Sequence, residues 1–117
     1  MIPGTVYTLE HGPTRLGTLI ITGSDHLAVH GHFEPCPEFA LYRPLFDEDA
    51  ALAEQVAGDP DPALLIRAEA LLDRILALGL VLRSARGTGY RDFLISIEGN
   101  HAGFRPLTPR RNPYDHV

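Results

Sequence analysis

One long amphipathic segment with a clear beginning and end separates two groups of short β-prone segments. Asp61 followed by Pro62 is a strong helix start, because aspartate caps the first turn and proline is tolerated at the first helical position. Gly79 supplies the stop. The apolar residues of the segment recur on one helical face: Leu64, Ala68, Leu71, Leu72, Ile75 and Leu78. This pattern predicts a helix over 62–78 with one buried face.

Three β-prone segments precede this helix, over 5–11, 15–22 and 26–34. Turn-forming residues at 12–14 and 23–25 separate them, so the segments are predicted to form an antiparallel meander. Pro35, Pro37 and Pro44 argue against a regular helix or a central strand in the segment that follows. Asp47 is the expected cap of a short helix over 48–57, and the acids of 47–49 are explained by that helix start.

Three further strands are predicted over 80–84, 90–98 and 101–105, with Gly99 and Asn100 forming a hairpin turn. Leu94 faces opposite to its apolar neighbours, which favours a central strand over 90–98 that is covered on both sides. The resulting order is β-β-β-α-α-β-β-β. We therefore expect an α+β fold: a single-layer antiparallel sheet with one long and one short helix packed on one face. One domain is expected over 1–106, followed by an irregular, proline-containing tail over 107–117.

The net charge, the apolar runs and the cysteine count indicate which classes of partner and which compartment suit this chain. A net charge of −5 over 117 residues argues against a general nucleic-acid binder, whose affinity depends on neutralising phosphates. The start of the sequence lacks a secretory pattern, and no apolar run approaches the ~20 residues needed to cross a bilayer. Cys36 is the lone cysteine, which excludes an intrachain disulfide and fits a reducing compartment. These features predict a cytoplasmic protein with neither a membrane nor a nucleic acid as partner.

Histidines alternate with apolar residues in the third predicted strand. Because residues i and i+2 of a strand share a face, His26, His30, His32 and Glu34 are expected on one side and Leu27, Val29 and Phe33 on the other. Burial of the apolar set leaves the histidines on a solvated or interface surface. His30 and His32 lie ~6.6 Å apart along such a strand and can converge on one ion. A zinc site would use both of them, with His26 or Glu34 as a further ligand.

Two other clusters are candidate sites. The glycines of 86–91 lie near Arg83, Arg86 and Arg91, which makes these arginines candidates for contact with an anion or an acidic partner. The segment matches no phosphate-binding fingerprint, because those need a following helix. Ser24, Asp25 and His26 are contiguous, and neighbours on an extended chain point apart, so a turn is the favoured interpretation. No catalytic residue is assigned.

Two motifs of this chain resemble a set of small hypothetical proteins from GC-rich bacteria. The first is F-E-P-x-P-x-F-x-x-Y-R-P-L-F, carried by Phe33, Pro35, Pro37, Phe39, Tyr42, Arg43, Pro44 and Phe46. The second is the late hairpin F-L-x-x-I-x-G-x-x-A-x-F-R, carried by Phe93, Ile97, Gly99, Ala102, Phe104 and Arg105. The resemblance implies a shared fold and brings no catalytic residues. Arg43 and Arg105 are the charged members, each suited to a charge-assisted hydrogen bond with a carboxylate.

The favoured function is a small acidic cytosolic binding module that acts through protein–protein contacts, as an immunity-type or accessory protein does. No cofactor is expected on this interpretation, and an enzyme is the less favoured class. The alternative is a small metal-binding protein or enzyme that uses the His-x-His strand face, with zinc as the metal. A homodimer formed through the meander is a further possibility, because strand edges and a histidine-lined face can pair between copies.

Overall fold

A computed structural model describes residues 3–25, 28–87 and 89–107. Over these ranges the chain forms one curled antiparallel sheet and two α-helices, so the predicted α+β class with a single sheet is confirmed. A 3-10 helix, Pro37–Leu41, precedes the first α-helix. The elements in chain order are β1 (Val6–His11), β2 (Thr14–Ser24), β3 (Val29–Pro35), α1 (Arg43–Gly58), α2 (Pro62–Ala77), β4 (Val81–Ser84), β5 (Gly89–Tyr90), β6 (Phe93–Glu98) and β7 (His101–Pro106).

The strands lie in the order β5-β4-β1-β2-β3-β7-β6. Strands β1, β2 and β3 form the predicted meander. After the helices, β4 returns to pair with β1 on one side of this meander, and β7 pairs with β3 on the other. The hairpin of β6 and β7, turned at Gly99 with φ 60°, is thereby joined to the histidine-bearing strand.

The core lies on the inner face of the sheet. Val29 and Phe33 of β3 point into it, as the alternation predicted, while Leu27 lies outside the described residues. The Phe104 ring of β7 lies 6.0 Å from the Tyr7 ring of β1 and 5.5 Å from the Tyr90 ring of β5, measured between centroids. Rings from strands far apart in the sheet therefore meet, and the sheet curls around them.

Helix α2 agrees with its sequence signals. The Asp61 carboxylate accepts a hydrogen bond from the Ala63 amide at 2.8 Å, and the helix begins at Pro62. Leu71 and Ile75 are buried, as the apolar face predicted. The chain leaves the helix through Gly79, whose φ of 69° is a conformation that glycine adopts without strain.

Helix α1 begins at Arg43, five residues before the predicted start, and has 16 residues like α2. The prediction of one long and one short helix was therefore wrong. Pro44 was expected to exclude a helix, but it lies in the first turn, where the amide that proline lacks has no intrahelical partner anyway. Both helices lie beside β6 and pack against each other.

Two strand predictions also needed correction. The strand predicted over 90–98 is broken at residues 91–92 into β5 and β6, and β6 is at the end of the strand order instead of at its centre. Helix α1 covers it, which explains the apolar Leu94 on its outer side. Strand β3 begins at Val29 instead of at residue 26, and the Ala28 amide just before it donates to the Asp25 carboxylate at 2.9 Å.

The two motifs that carry the resemblance contact each other. The Arg43 guanidinium donates to the Gly99 carbonyl at 3.0 Å and lies 4.8 Å from the centre of the Phe39 ring. The Asn100 amide donates to the Phe33 carbonyl at 3.2 Å. Arg43 thus bonds a backbone carbonyl where a carboxylate was expected, and it ties the start of α1 to the β6–β7 turn.

Candidate functional site

The outer faces of β3, β7 and β6 form one surface, which the pairing register arranges in rows. His32 lies directly opposite His101, and His101 lies opposite Glu98. In the next row Gly103 lies between His30 and Ser96. The His30 and His101 rings stack, with 6.3 Å between centroids and 16° between planes. We call His30, His32 and His101 together the histidine face.

Gly103 shapes the middle of this surface. A Cβ atom at this position would lie 3.2 Å from His30 Nδ1, tighter than most such contacts. The missing side chain therefore leaves room for the His30 ring beside β7 and lowers the surface between His30 and Ser96.

A groove of about 410 Å³ runs between this surface and the two helices. Its size is at the lower end of the range for small-molecule sites. Its apolar lining is Ala28, Leu72, Leu94, Ile95 and Phe104, together with the backbone of Gly103. Its polar lining is His30, Asp49, Ser96, His101 and Arg105. The groove therefore combines an apolar surface with a small number of hydrogen-bonding and charged groups.

Asp49 enters the groove from α1 and is half-buried. Burial raises the pKa of its carboxyl group, because desolvation disfavours the charged form. Among the described residues it has neither an ion-pair nor a hydrogen-bond partner. The carboxylate thus bears a desolvation cost that no neighbouring protein group offsets.

Arg105 lines the same groove from β7, directly opposite Leu94 of β6. Its side chain is exposed, and within the described ranges it forms no ion pair. The charge-assisted hydrogen bond with a carboxylate for which Arg105 is suited therefore stays a prediction. An acid and a base therefore line one groove without pairing with each other.

Carboxylates do accompany two of the histidines. His30 Nε2 lies 3.6 Å from Asp25 Oδ2, and His32 Nε2 lies 3.7 Å from Glu34 Oε2, with between 42% and 60% of each of the four side chains exposed. His26 falls outside the described residues. Over the ranges that the structure describes, no three His, Cys, Asp or Glu side chains are grouped so as to hold a metal ion. The zinc site at His30 and His32 stays a prediction.

The three candidate arginines have different surroundings. Arg83 Nε donates to Glu10 Oε1 at 3.2 Å. The pKa of Glu10 is lowered, first by its hydrogen bond from Thr8 and further by Arg83. Arg86 and Arg91 are exposed in the connections on either side of β5. Arg83 thus forms an ion pair within the chain, and the anion or partner contact stays a prediction for Arg83, Arg86 and Arg91.

Sequence reasoning missed three contributors to the groove: Asp49, Leu72 and Ser96. The sequence pattern assigns Asp49 to the start of a helix, but α1 begins at Arg43, six residues before Asp49, so Asp49 lies within the helix. His101 was seen, but its pairing with His32 was not, because β7 could have joined either edge of the meander. The only local signal was Gly99–Asn100, which fixes β7 against β6 alone.

Neither helix is long and apolar enough to cross a membrane, within the part of the chain that the structure describes. Comparison of the chain with models of protein families, with curated proteins and with solved structures found no match.

Proposed function

We propose that this chain is a small acidic binding module that acts through protein–protein contacts, as immunity-type or accessory proteins do. The histidine face and the adjoining groove are its contact surface. The observation that carries the proposal is the groove itself, an apolar depression bordered by exposed polar side chains on one continuous face. Protein interfaces have this anatomy, with an apolar centre that excludes water and a polar rim.

The composition supports a cytoplasmic bacterial setting for this module. Its lone cysteine suits a reducing compartment, and its motifs resemble those of bacterial proteins. The net charge of −5 favours a partner with a complementary basic surface, because opposite potentials speed encounter.

A capture experiment from lysate of the source organism tests the proposal. The wild type should retain a partner at micromolar concentration. Ser96→Arg should weaken retention at least tenfold, because a long charged side chain would fill the groove from an exposed position. Ala70→Arg is the matched control, since it adds the same charge at an exposed site of α2 that does not line the groove. Failure to retain any partner, or equal loss with both variants, would contradict the proposal.

A second copy of the chain is an alternative partner for the same face. Light scattering would then report twice the 12.8 kDa mass of one chain. Ser96→Arg should restore the single-chain mass and Ala70→Arg should not. If light scattering gives the mass of a single chain for the wild type at high micromolar concentration, the homodimer is excluded.

A metal-binding protein or enzyme that uses the His-x-His face is the second candidate function. The observation that favours it is His101, which lies opposite His32 and stacks on His30. Three histidines are thereby neighbours on one exposed surface, and zinc is normally held by at least three protein ligands. Rotations about the side-chain torsions would be needed to turn their nitrogen lone pairs toward a shared ion.

Competitive zinc titration of chelator-stripped protein tests this candidate. A dissociation constant below micromolar is expected, and His30→Ala or His101→Ala should weaken binding at least tenfold. His11→Gln is the control, because His11 contacts Tyr42 away from this face. Wild-type binding no tighter than micromolar would end the metal hypothesis.

A further inference from the structure

The unusual property of the groove is that it presents two opposite charges that are not paired. Asp49 enters from helix α1 and Arg105 from strand β7, and apolar side chains including Leu72 and Leu94 line the groove with them. Neither charge has an ion-pair partner among the described residues. The other two groove-lining ionisable groups are His30, which is 3.6 Å from Asp25, and His101.

This arrangement is complementary to a particular ligand chemistry. An apolar body would cover the leucines, an ammonium group would meet Asp49, and a carboxylate would meet Arg105. Arginine suits this role because its planar guanidinium can donate two parallel hydrogen bonds to one carboxylate. A purely anionic ligand would be repelled by Asp49, and a purely cationic one by Arg105. A single ligand that carries both charges can place each charge beside the residue of opposite sign and so avoids both repulsions.

We propose that the groove binds a small apolar zwitterion, of the size of an apolar amino acid or dipeptide, with its ammonium group on Asp49 and its carboxylate on Arg105. The volume of about 410 Å³ accommodates either ligand. The inference is independent of the protein–protein function proposed above, because it rests on the two unpaired charges of the groove, which that proposal does not use.

The desolvation of Asp49 agrees with this arrangement. Burial raises the pKa of the free carboxyl group, whereas a bound ammonium group stabilises its charged form. Ligand binding should therefore lower the pKa of Asp49. This shift is a readout that simple contact with the apolar lining would not produce.

The test is an NMR titration of the full ¹⁵N-labelled chain with leucine and with leucyl-leucine. Saturable shifts are expected at the amides of Asp49, Ser96, Gly103 and Arg105, at millimolar concentration or below. The N-acetylated ligand lacks the ammonium group and the C-amidated ligand lacks the carboxylate. Each should bind at least tenfold more weakly than its parent. Whichever parent binds more tightly identifies the ligand as amino acid or dipeptide.

Variants assign each charge to its residue. Asp49→Asn should reduce affinity for the parent ligand to that of the acetylated form, and should leave the acetylated form unaffected. Arg105→Gln should reduce affinity for the parent ligand to that of the amidated form, and should leave the affinity for the amidated form unaffected. Glu69→Gln and Arg74→Gln are matched controls on the exposed side of α2 and should leave affinity unchanged. The amide spectrum of each variant reports whether it is folded.

Three results would overturn the inference. They are equal affinity for the parent and its blocked analogues, unchanged affinity in Asp49→Asn or Arg105→Gln, and no saturable shift at the groove with either parent ligand. None of these would bear on the capture of a protein partner, so the two proposals fail separately.

Discussion

At the residue scale, Asp49 is a half-buried acid whose pKa is raised by burial. A half-buried carboxylate normally finds a hydrogen bond or a cation, and none lies against it among the described residues. Glu10 shows the contrast. Thr8 and Arg83 both donate to it, and its pKa is lowered. This difference is the reason that we propose a bound ligand as the partner of Asp49.

Asp49→Asn should raise the free energy of unfolding at pH 7, because it removes a charge that burial disfavours. The folded-state pKa of Asp49 lies above the ordinary value of 3.8, so the destabilisation develops as pH rises from about that value. It is fully present once pH exceeds the folded-state pKa. The gain from Asp49→Asn should therefore shrink toward zero as pH falls to about 3.

Urea unfolding of both proteins between pH 3 and pH 8 measures this dependence. Asp73→Asn, at an exposed position of α2, is the control for the loss of one negative charge at the surface. A variant that is less stable than the wild type, by an amount that grows as pH rises, would show instead that a favourable contact holds the charged carboxylate of Asp49.

At the element scale, capping and turn residues were sufficient to predict an element wherever they marked both of its ends. Asp61, Pro62 and Gly79 define α2, and Gly99 with Asn100 defines the β6–β7 hairpin, so both were predicted correctly. The start of helix α1 was predicted wrongly because a proline such as Pro44 has two opposite effects. It breaks a helix when it lies in the interior, and it favours a helix when it lies in the first turn. The break between β5 and β6 and the pairing of β7 with β3 depend on tertiary packing, which no local pattern encodes.

The capping contact of α2 gives a quantitative prediction. Asp61→Ala should cost about 1 kcal/mol of stability, because the Ala63 amide loses its acceptor. Asp59→Ala is the matched control. Asp59 is exposed and contributes backbone groups to its turn, so the change should stay within about 0.5 kcal/mol. Thermal unfolding of the three proteins checks both values, and equal destabilisation by the two variants would contradict this account of the helix start.

At the scale of the whole molecule, the curl of the sheet separates the two faces chemically. Its inner face collects the aromatic cluster around Phe104. Its outer face brings the histidines of β3 and β7 beside the helices and so creates the groove. The alternation of apolar and polar residues in β3 predicted which way the histidines point. It did not predict what they lie beside, because the partner strand and both helices come from distant parts of the sequence.

Phe104→Ala tests the role of the aromatic cluster in holding this shape. Phe104 is 1% exposed, and its truncation should cost about 3–5 kcal/mol, as is typical for a buried phenylalanine. Leu107→Ala, at an exposed apolar residue just after β7, should change stability by less than about 0.5 kcal/mol. Chemical denaturation measures both, and a loss below 1 kcal/mol at Phe104 would mean that the curl does not depend on this ring.

The most direct measurement of the central claim is the amide footprint of a captured partner on the ¹⁵N-labelled chain. We expect protection or shift changes confined to β3, β6, β7 and the part of α1 around Asp49. A footprint centred instead on the exposed side of α2 near Ile66, or on the Arg86 and Arg91 connections, would contradict the assignment of the histidine face and its groove as the recognition surface.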